Sequence, residues 1–106
     1  MSNAVYRLDH FIVPNAAREE FLARVRVTHT LLHAQPGFVR DDVMVQQHGE
    51  QAVRVVTLAQ WRDEAAVKAA REKVAAAHAA NNVNPEELLA RLGIRAELGM
   101  YQGLDG

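Results

Sequence analysis

Val53-Arg54-Val55-Val56-Thr57-Leu58-Ala59-Gln60-Trp61 is an apolar run of strand length that closes on the chain's one tryptophan. Side chains alternate along a strand, so Val55 and Thr57 project to one side and Val56 and Leu58 to the other. Apolar residues on both sides describe a strand covered on both faces. An alanine-rich stretch of helical character follows at once, opening at Asp63 and running to about Ala80. A chain of 106 residues has helix enough to cover one side of a sheet. The other side calls for a second copy, so the stretch predicts a homodimer and sets Trp61 where the sheet meets the helices.

Upstream, residues 5–13 alternate as a first strand. Tyr6, Leu8, His10 and Ile12 share one face, expected to look at the helices, and Val5, Arg7, Asp9, Phe11 and Val13 share the other. Pro14 ends the strand and Asn15 is expected to cap a helix over residues 16–34, whose inner face is Ala17, Phe21, Val25, Thr28 and Leu32 with His29 at its edge. Gln35-Pro36-Gly37 stops that helix. Residues 38–47 form a second strand, joined through His48-Gly49-Glu50-Gln51 to the strand 53–61 as a hairpin. Asp63 caps the next helix, which shows Val67, Ala70, Val74, Ala77 and His78 inward, a thin face that permits a hollow beneath it. Asn84-Pro85-Glu86-Glu87 starts a short helix ending at Gly93. Residues 94–102 are the last strand.

The order β-α-β-β-α-(α)-β predicts an α+β, ferredoxin-like β-α-β-β-α-β sandwich with an antiparallel sheet, one domain over residues 1–106. First and last strands are neighbours in that topology. Arg7 and Asp9 are expected to meet Glu97 and Arg95 on the face away from the helices, fixing register at the dimer contact.

Composition narrows the function classes. A charged fraction of 24% with net charge −1 carries no footprint for nucleic acid. The absence of cysteine excludes disulfides, thiolate catalysis and sulfur-built metal centres. No segment reaches the roughly 20 apolar residues that span a bilayer, so the reading is a cytoplasmic protein with no membrane partner.

Ala34-Gln35-Pro36-Gly37-Phe38, the hairpin, and Val56-Thr57-Leu58-Ala59-Gln60-Trp61 followed by Arg62-Asp63-Glu64-Ala65 resemble the antibiotic biosynthesis monooxygenase family. The resemblance implies a dimeric α/β barrel. It further implies oxidation of a small aromatic or quinone-type compound with no cofactor and no bound metal or flavin, because a deprotonated electron-rich substrate reacts with oxygen in a dry, oriented pocket. Polyketide-oxidising members use an asparagine on the tryptophan strand, whereas residues 53–61 contain none. The haem-degrading branch uses an asparagine on its first strand, where this chain has Asp9 and His10, and a histidine early on the helix after the tryptophan, whereas His78 stands far along it. A non-catalytic dimeric module binding a small hydrophobic or aromatic molecule, and a haem-binding or isomerase relative, stand as alternatives.

Three residues are candidates for chemistry. Trp61 reads either as a pocket wall with an indole donor or as a core residue sealing the sandwich. His10 and His29 have the imidazole that deprotonates a phenol near neutral pH, against the alternative of half-buried structural histidines. Phe21, Val25 and His78 are expected to line the substrate pocket. His29 and His33 are spaced as a two-ligand metal face, but no carboxylate follows in the required pattern and metal binding is set aside. Asp41 and Asp42 are adjacent on a strand and point oppositely, so they make no carboxylate pair.

Overall fold

Helix caps and glycine turns fix where the elements begin and end. The computed structural model describes residues 4–104, with β1 (Val5–Pro14), α1 (Arg18–His33), β2 (Phe38–His48), β3 (Ala52–Trp61), α2 (Glu64–Ala80), α3 (Pro85–Leu92) and β4 (Arg95–Gln102). Asp63 Oδ1 accepts from Ala66 N–H at 2.9 Å at the start of α2. Asn84 Oδ1 accepts from the N–H groups of Glu86 and Glu87 at the start of α3, and Pro85 follows as the first helical residue. Each cap satisfies donors that a helix start otherwise leaves orphaned. Asn15 does not act as the expected cap of α1. Residues Asn15–Ala17 make a 3₁₀ turn first, and Asn15 instead donates through Nδ2 to the Glu50 carbonyl and through its backbone N–H to Gln51, tying the strand exit to the β2–β3 turn.

The sheet is antiparallel with order β2-β3-β1-β4, and the three helices lie on one side. This is the ferredoxin-like sandwich, with β1 and β4 adjacent as its topology requires. Val53, Val55, Thr57, Ala59 and Trp61 are buried under the helices, while the alternate residues of β3 are half-buried on the back. No helix among the described residues is long and apolar enough to cross a membrane.

The face assignment of β1 departs from expectation. Val5, Phe11 and Val13 are buried beneath the helices, so Arg7 and Asp9, which share their side, face the helices too. Tyr6, Leu8, His10 and Ile12 face the bare back. Both sides of β1 carry apolar residues, and the two charges made the inner side look like the outer one. The charges do not cross to β4: Arg7 stands opposite Met100 and Asp9 opposite Leu98, and Arg7 Nε donates to Asp9 Oδ1 at 2.8 Å within the strand. The expected pairing with Glu97 and Arg95 is therefore absent, because those residues lie on the back face opposite His10 and Ile12.

Gly37 links the first half of the fold to the second. Its φ is +84° and its carbonyl accepts from Arg62 N–H at 2.8 Å. A Cβ at this position would stand 2.5 Å from the Cβ of Ala66 on α2. Gly37→Ala is expected to destabilise the fold by about 2–3 kcal/mol in urea unfolding, from left-handed backbone strain and displacement of α2. A loss below about 0.5 kcal/mol would contradict this close approach.

Candidate functional site

The apolar core beneath the helices is divided. One cluster joins Phe11, Val13, Ala17, Phe21, Val25, Val53, Val55 and Ile94. The other joins Val5, Ala59, Trp61, Ala66, Val67 and Ala70, with Leu32 and Phe38 against it. Along β1 the break falls at Arg7 and Asp9, and along β3 at Thr57. Those three side chains line a cavity of about 650 Å³, a size that suits a small organic ligand. Phe11, Phe21, Val25, Leu32, Leu89 and Leu98 form apolar walls, and Arg24, His29 and His78 add polar groups. The hollow exists because α2 shows it Ala77 beside His78, and an alanine cannot reach the sheet over a polar stripe.

Within the polar floor the Asp9 carboxylate is satisfied. Asp9 Oδ1 takes the Arg7 Nε–H and a longer bond of 3.4 Å from Gly99 N–H, and its side chain is only 15% exposed. A half-buried carboxylate needs such partners. With Arg7 and Arg24 against Asp9, the formal charge of the lining is positive, which suits an anionic or phenolic guest.

Phe21, Val25, His29 and His78 line this cavity. His10 does not: it stands opposite Val56 and Glu97 on the back of the sheet, since the face assumed for it is the reverse of the one adopted. Trp61 is 2% exposed, sits in the second core cluster and contributes nothing to the lining. Its ring meets Phe38 edge-on at 5.4 Å, and Phe38 in turn lies 4.9 Å from the His33 ring.

Arg7, Asp9, Thr57 and Arg24 were missed as cavity residues by sequence, and Asp41 was missed as the partner of a cavity residue. Asp41 Oδ2 stands 2.7 Å from His29 Nδ1 and 2.7 Å from His33 Nε2. A signal was present. The tight turn at residues 34–37 folds β2 back along α1, and three strand residues beyond the turn reach about 10 Å, alongside the last two turns of the helix. Among the described residues no group of three His, Cys, Asp or Glu side chains is arranged to hold a metal ion.

Burial works to raise the Asp41 carboxyl, but hydrogen bonds from His33 and His29 and their positive charge outweigh it and hold the group below its ordinary 3.8. A depressed carboxylate binds fewer protons folded than unfolded, so its contribution to stability is present above 3.8 and is lost as pH falls through the folded value. Wild type is therefore expected to lose more stability than Asp41→Asn between about pH 5 and pH 2. Parallel stability–pH curves from chemical unfolding would contradict the assignment.

The sequence matches the model of the antibiotic biosynthesis monooxygenase family over residues 5–82. Among curated proteins none matches the chain in sequence. Solved structures do resemble it. SnoaB, a cofactor-independent oxygenase from Streptomyces nogalater, superposes with a TM-score of 0.69 at 21% identity, over 99% of this chain and 97% of that one. Protein SO0527 from Shewanella oneidensis gives 0.70 at 17% identity, over 97% and 93%. A mutant of MhuD with two manganese protoporphyrin IX bound per active site gives 0.66 at 26% identity, over 96% and 97%. With the family model spanning most of the described residues and the same fold in each of these structures, the chain belongs to the antibiotic biosynthesis monooxygenase family.

Proposed function

We propose that the protein is a cofactor-independent monooxygenase that carries a small electron-rich phenol to the quinone level with dioxygen. The observation that supports it best is the cavity itself: apolar walls, a floor of Arg7, Asp9 and Thr57, and His29 on the wall. Fold likeness to SnoaB, itself a cofactor-independent oxygenase, agrees with this reading.

In the proposed reaction, His29 takes the phenol O–H proton. The phenolate, held near the Arg7 guanidinium, gives an electron to dioxygen, and the two radicals recombine as a peroxide anion on a ring carbon that still bears hydrogen. The proton returns from His29 to that peroxide. Loss of water then removes the ring hydrogen and the distal oxygen, leaving the second carbonyl. Phenol plus dioxygen becomes quinone plus water, and no external reductant enters. The protein's share is orientation, exclusion of water and handling of one proton.

Oxygen uptake on a panel of naphthols and hydroquinones, with isotopically labelled dioxygen appearing in the quinone, tests this directly. His29→Ala is expected to lower kcat by about 10²–10⁴-fold. Trp61→Phe is expected to act mainly on stability, by roughly 1–3 kcal/mol, since Trp61 packs in the core. No turnover of any substrate in wild type would leave a non-catalytic binding module as the better reading, and a shifted haem spectrum on titration would favour a haem-binding relative.

The second element of the proposal is a homodimer formed through the back of the sheet. The molecule is 17 Å thick in its smallest dimension, one sheet under one layer of helices. Its uncovered face presents Tyr6, Leu8, Ile12, Val56 and Leu58, half-buried only by one another, with Met44 and Tyr101 48% and 52% exposed at the edges. His10 and Glu97 would lie at that seam. Sedimentation is expected to show a dimer, and Val56→Lys to weaken association by about tenfold or more. A well-folded wild-type monomer at high concentration would overturn the dimer.

A further inference from the structure

We infer that Asp41 is a positioning residue that fixes His29 as a base with its Nε2 lone pair open to the cavity, and that His33 anchors the same carboxylate from the solvent side. This rests on the proposed role of His29 in taking the substrate proton.

A carboxylate oxygen accepts hydrogen bonds and cannot donate them, so each ring must present an N–H to Asp41 Oδ2. A neutral imidazole carries one N–H. With the His29 proton on Nδ1, its Nε2 is a bare acceptor. The bond is 2.7 Å, short for a pair of this kind. His29 lines the cavity and Asp41 does not, and with Nδ1 engaged by Asp41 the nitrogen left to the ring for that cavity is Nε2. Among the described residues Nε2 has no hydrogen-bond partner, and no unpartnered side-chain nitrogen is sealed from solvent.

Exposure rises outward along the chain of groups, from 13% at His29 through 20% at Asp41 to 54% at His33. The arrangement has a cavity end and a water end. His33 keeps the carboxylate from turning towards solvent, and Phe38 against the His33 ring, itself braced by Trp61, limits the motion of His33. When Nε2 takes the phenolic proton, the ring becomes an imidazolium whose charge faces the Asp41 carboxylate at hydrogen-bond distance. The proton stays on Nε2 until the peroxide takes it back, so Asp41 itself never changes protonation. A simple staple between α1 and β2 would hold the two elements together equally well with either His29 tautomer. The tautomer therefore distinguishes the two roles.

Nitrogen–proton NMR of isotopically labelled protein reads that tautomer without any substrate, at a pH about two units above the ordinary imidazole value so that free rings are neutral. Wild type is expected to show His29 protonated on Nδ1 and bare on Nε2. His33→Gln is expected to leave this unchanged, and Asp41→Ala to convert the ring to a mixture or to the Nε2–H form. An Nε2–H or doubly protonated His29 in wild type, or an unaltered tautomer in Asp41→Ala, would overturn the inference. Should Asp41→Ala fail to fold, the wild-type spectrum still decides. A second arm uses 4-nitrophenol, whose colour reports ionisation: the bound phenolate fraction is expected to fall at least threefold in Asp41→Asn, as in His29→Gln, and an unchanged fraction would count against Asp41. If the probe binds no variant at all, the substrate reading fails while the tautomer result stands by itself.

Discussion

A stripe of polar side chains lies across an otherwise oily sheet: Arg7 and Asp9 on β1, Thr57 on β3. Helices cannot seal over such a stripe with leucines without stranding a carboxylate in hydrocarbon, which costs several kcal/mol when it is unpaired. The fold meets this in two ways. Arg7 and a backbone N–H from β4 satisfy Asp9, and α2 shows the short Ala77 to the gap, so the space above stays open. The two apolar clusters on either side hold the helices up like the ends of a span. The cavity is thus a consequence of where three polar residues stand, and a filled core would require changing the floor and the roof together.

The wall carrying His29 is set by different physics. α1 ends at His33, and Gly37 with its positive φ returns the chain so that β2 runs back beside the helix. β2 is an edge strand, paired only with β3 among the described residues, and the Asp41 carboxylate reaches from it to the helix. This contact spans twelve residues to His29 and eight to His33, so it forms as soon as the α1–β2 corner closes. The same corner packs Phe38 on Trp61. Trp61 therefore touches the His29–Asp41–His33 group only at one remove, through Phe38 against His33, with its own ring inside the core.

Much of this was legible. The apolar doublet faces of β3, the caps at Asp63 and Asn84, and the Pro-Gly turn carry local chemistry that tertiary context had no reason to override, and the helical period placed Phe21, Val25 and His29 on the inner flank of α1. The facing of β1 was not legible. Its two sides differ by a few apolar groups, and charge on one of them reads as solvent exposure unless one knows that Arg7 and Asp9 satisfy each other over a hollow. His10 was carried to the wrong side by that single inversion, because a strand's side chains turn over as a set. Asp41 escaped for another reason: its partners lie on a neighbouring element, and strand alternation shows only that it does not pair with Asp42.

The departure of this chain from its family's pattern has a chemical consequence for the proposed reaction. The tryptophan strand offers the cavity Thr57, and residues 53–61 hold no asparagine of the kind that the resemblance to polyketide-oxidising members implies. A threonine hydroxyl has one donor on a short arm, whereas an amide has two donors and an acceptor on a longer one. Thr57 alone therefore cannot reproduce both the orientation of a substrate oxygen and the support of a developing peroxide anion. In the proposed reaction the floor supplies the missing charge by other means, since the Arg7 guanidinium has donors beyond the Nε–H given to Asp9, and Asp9 stands opposite Thr57 on the neighbouring strand. In the proposed reaction anion support falls to β1 and proton transfer to α1, so its steps are divided between a strand and the helix packed over it.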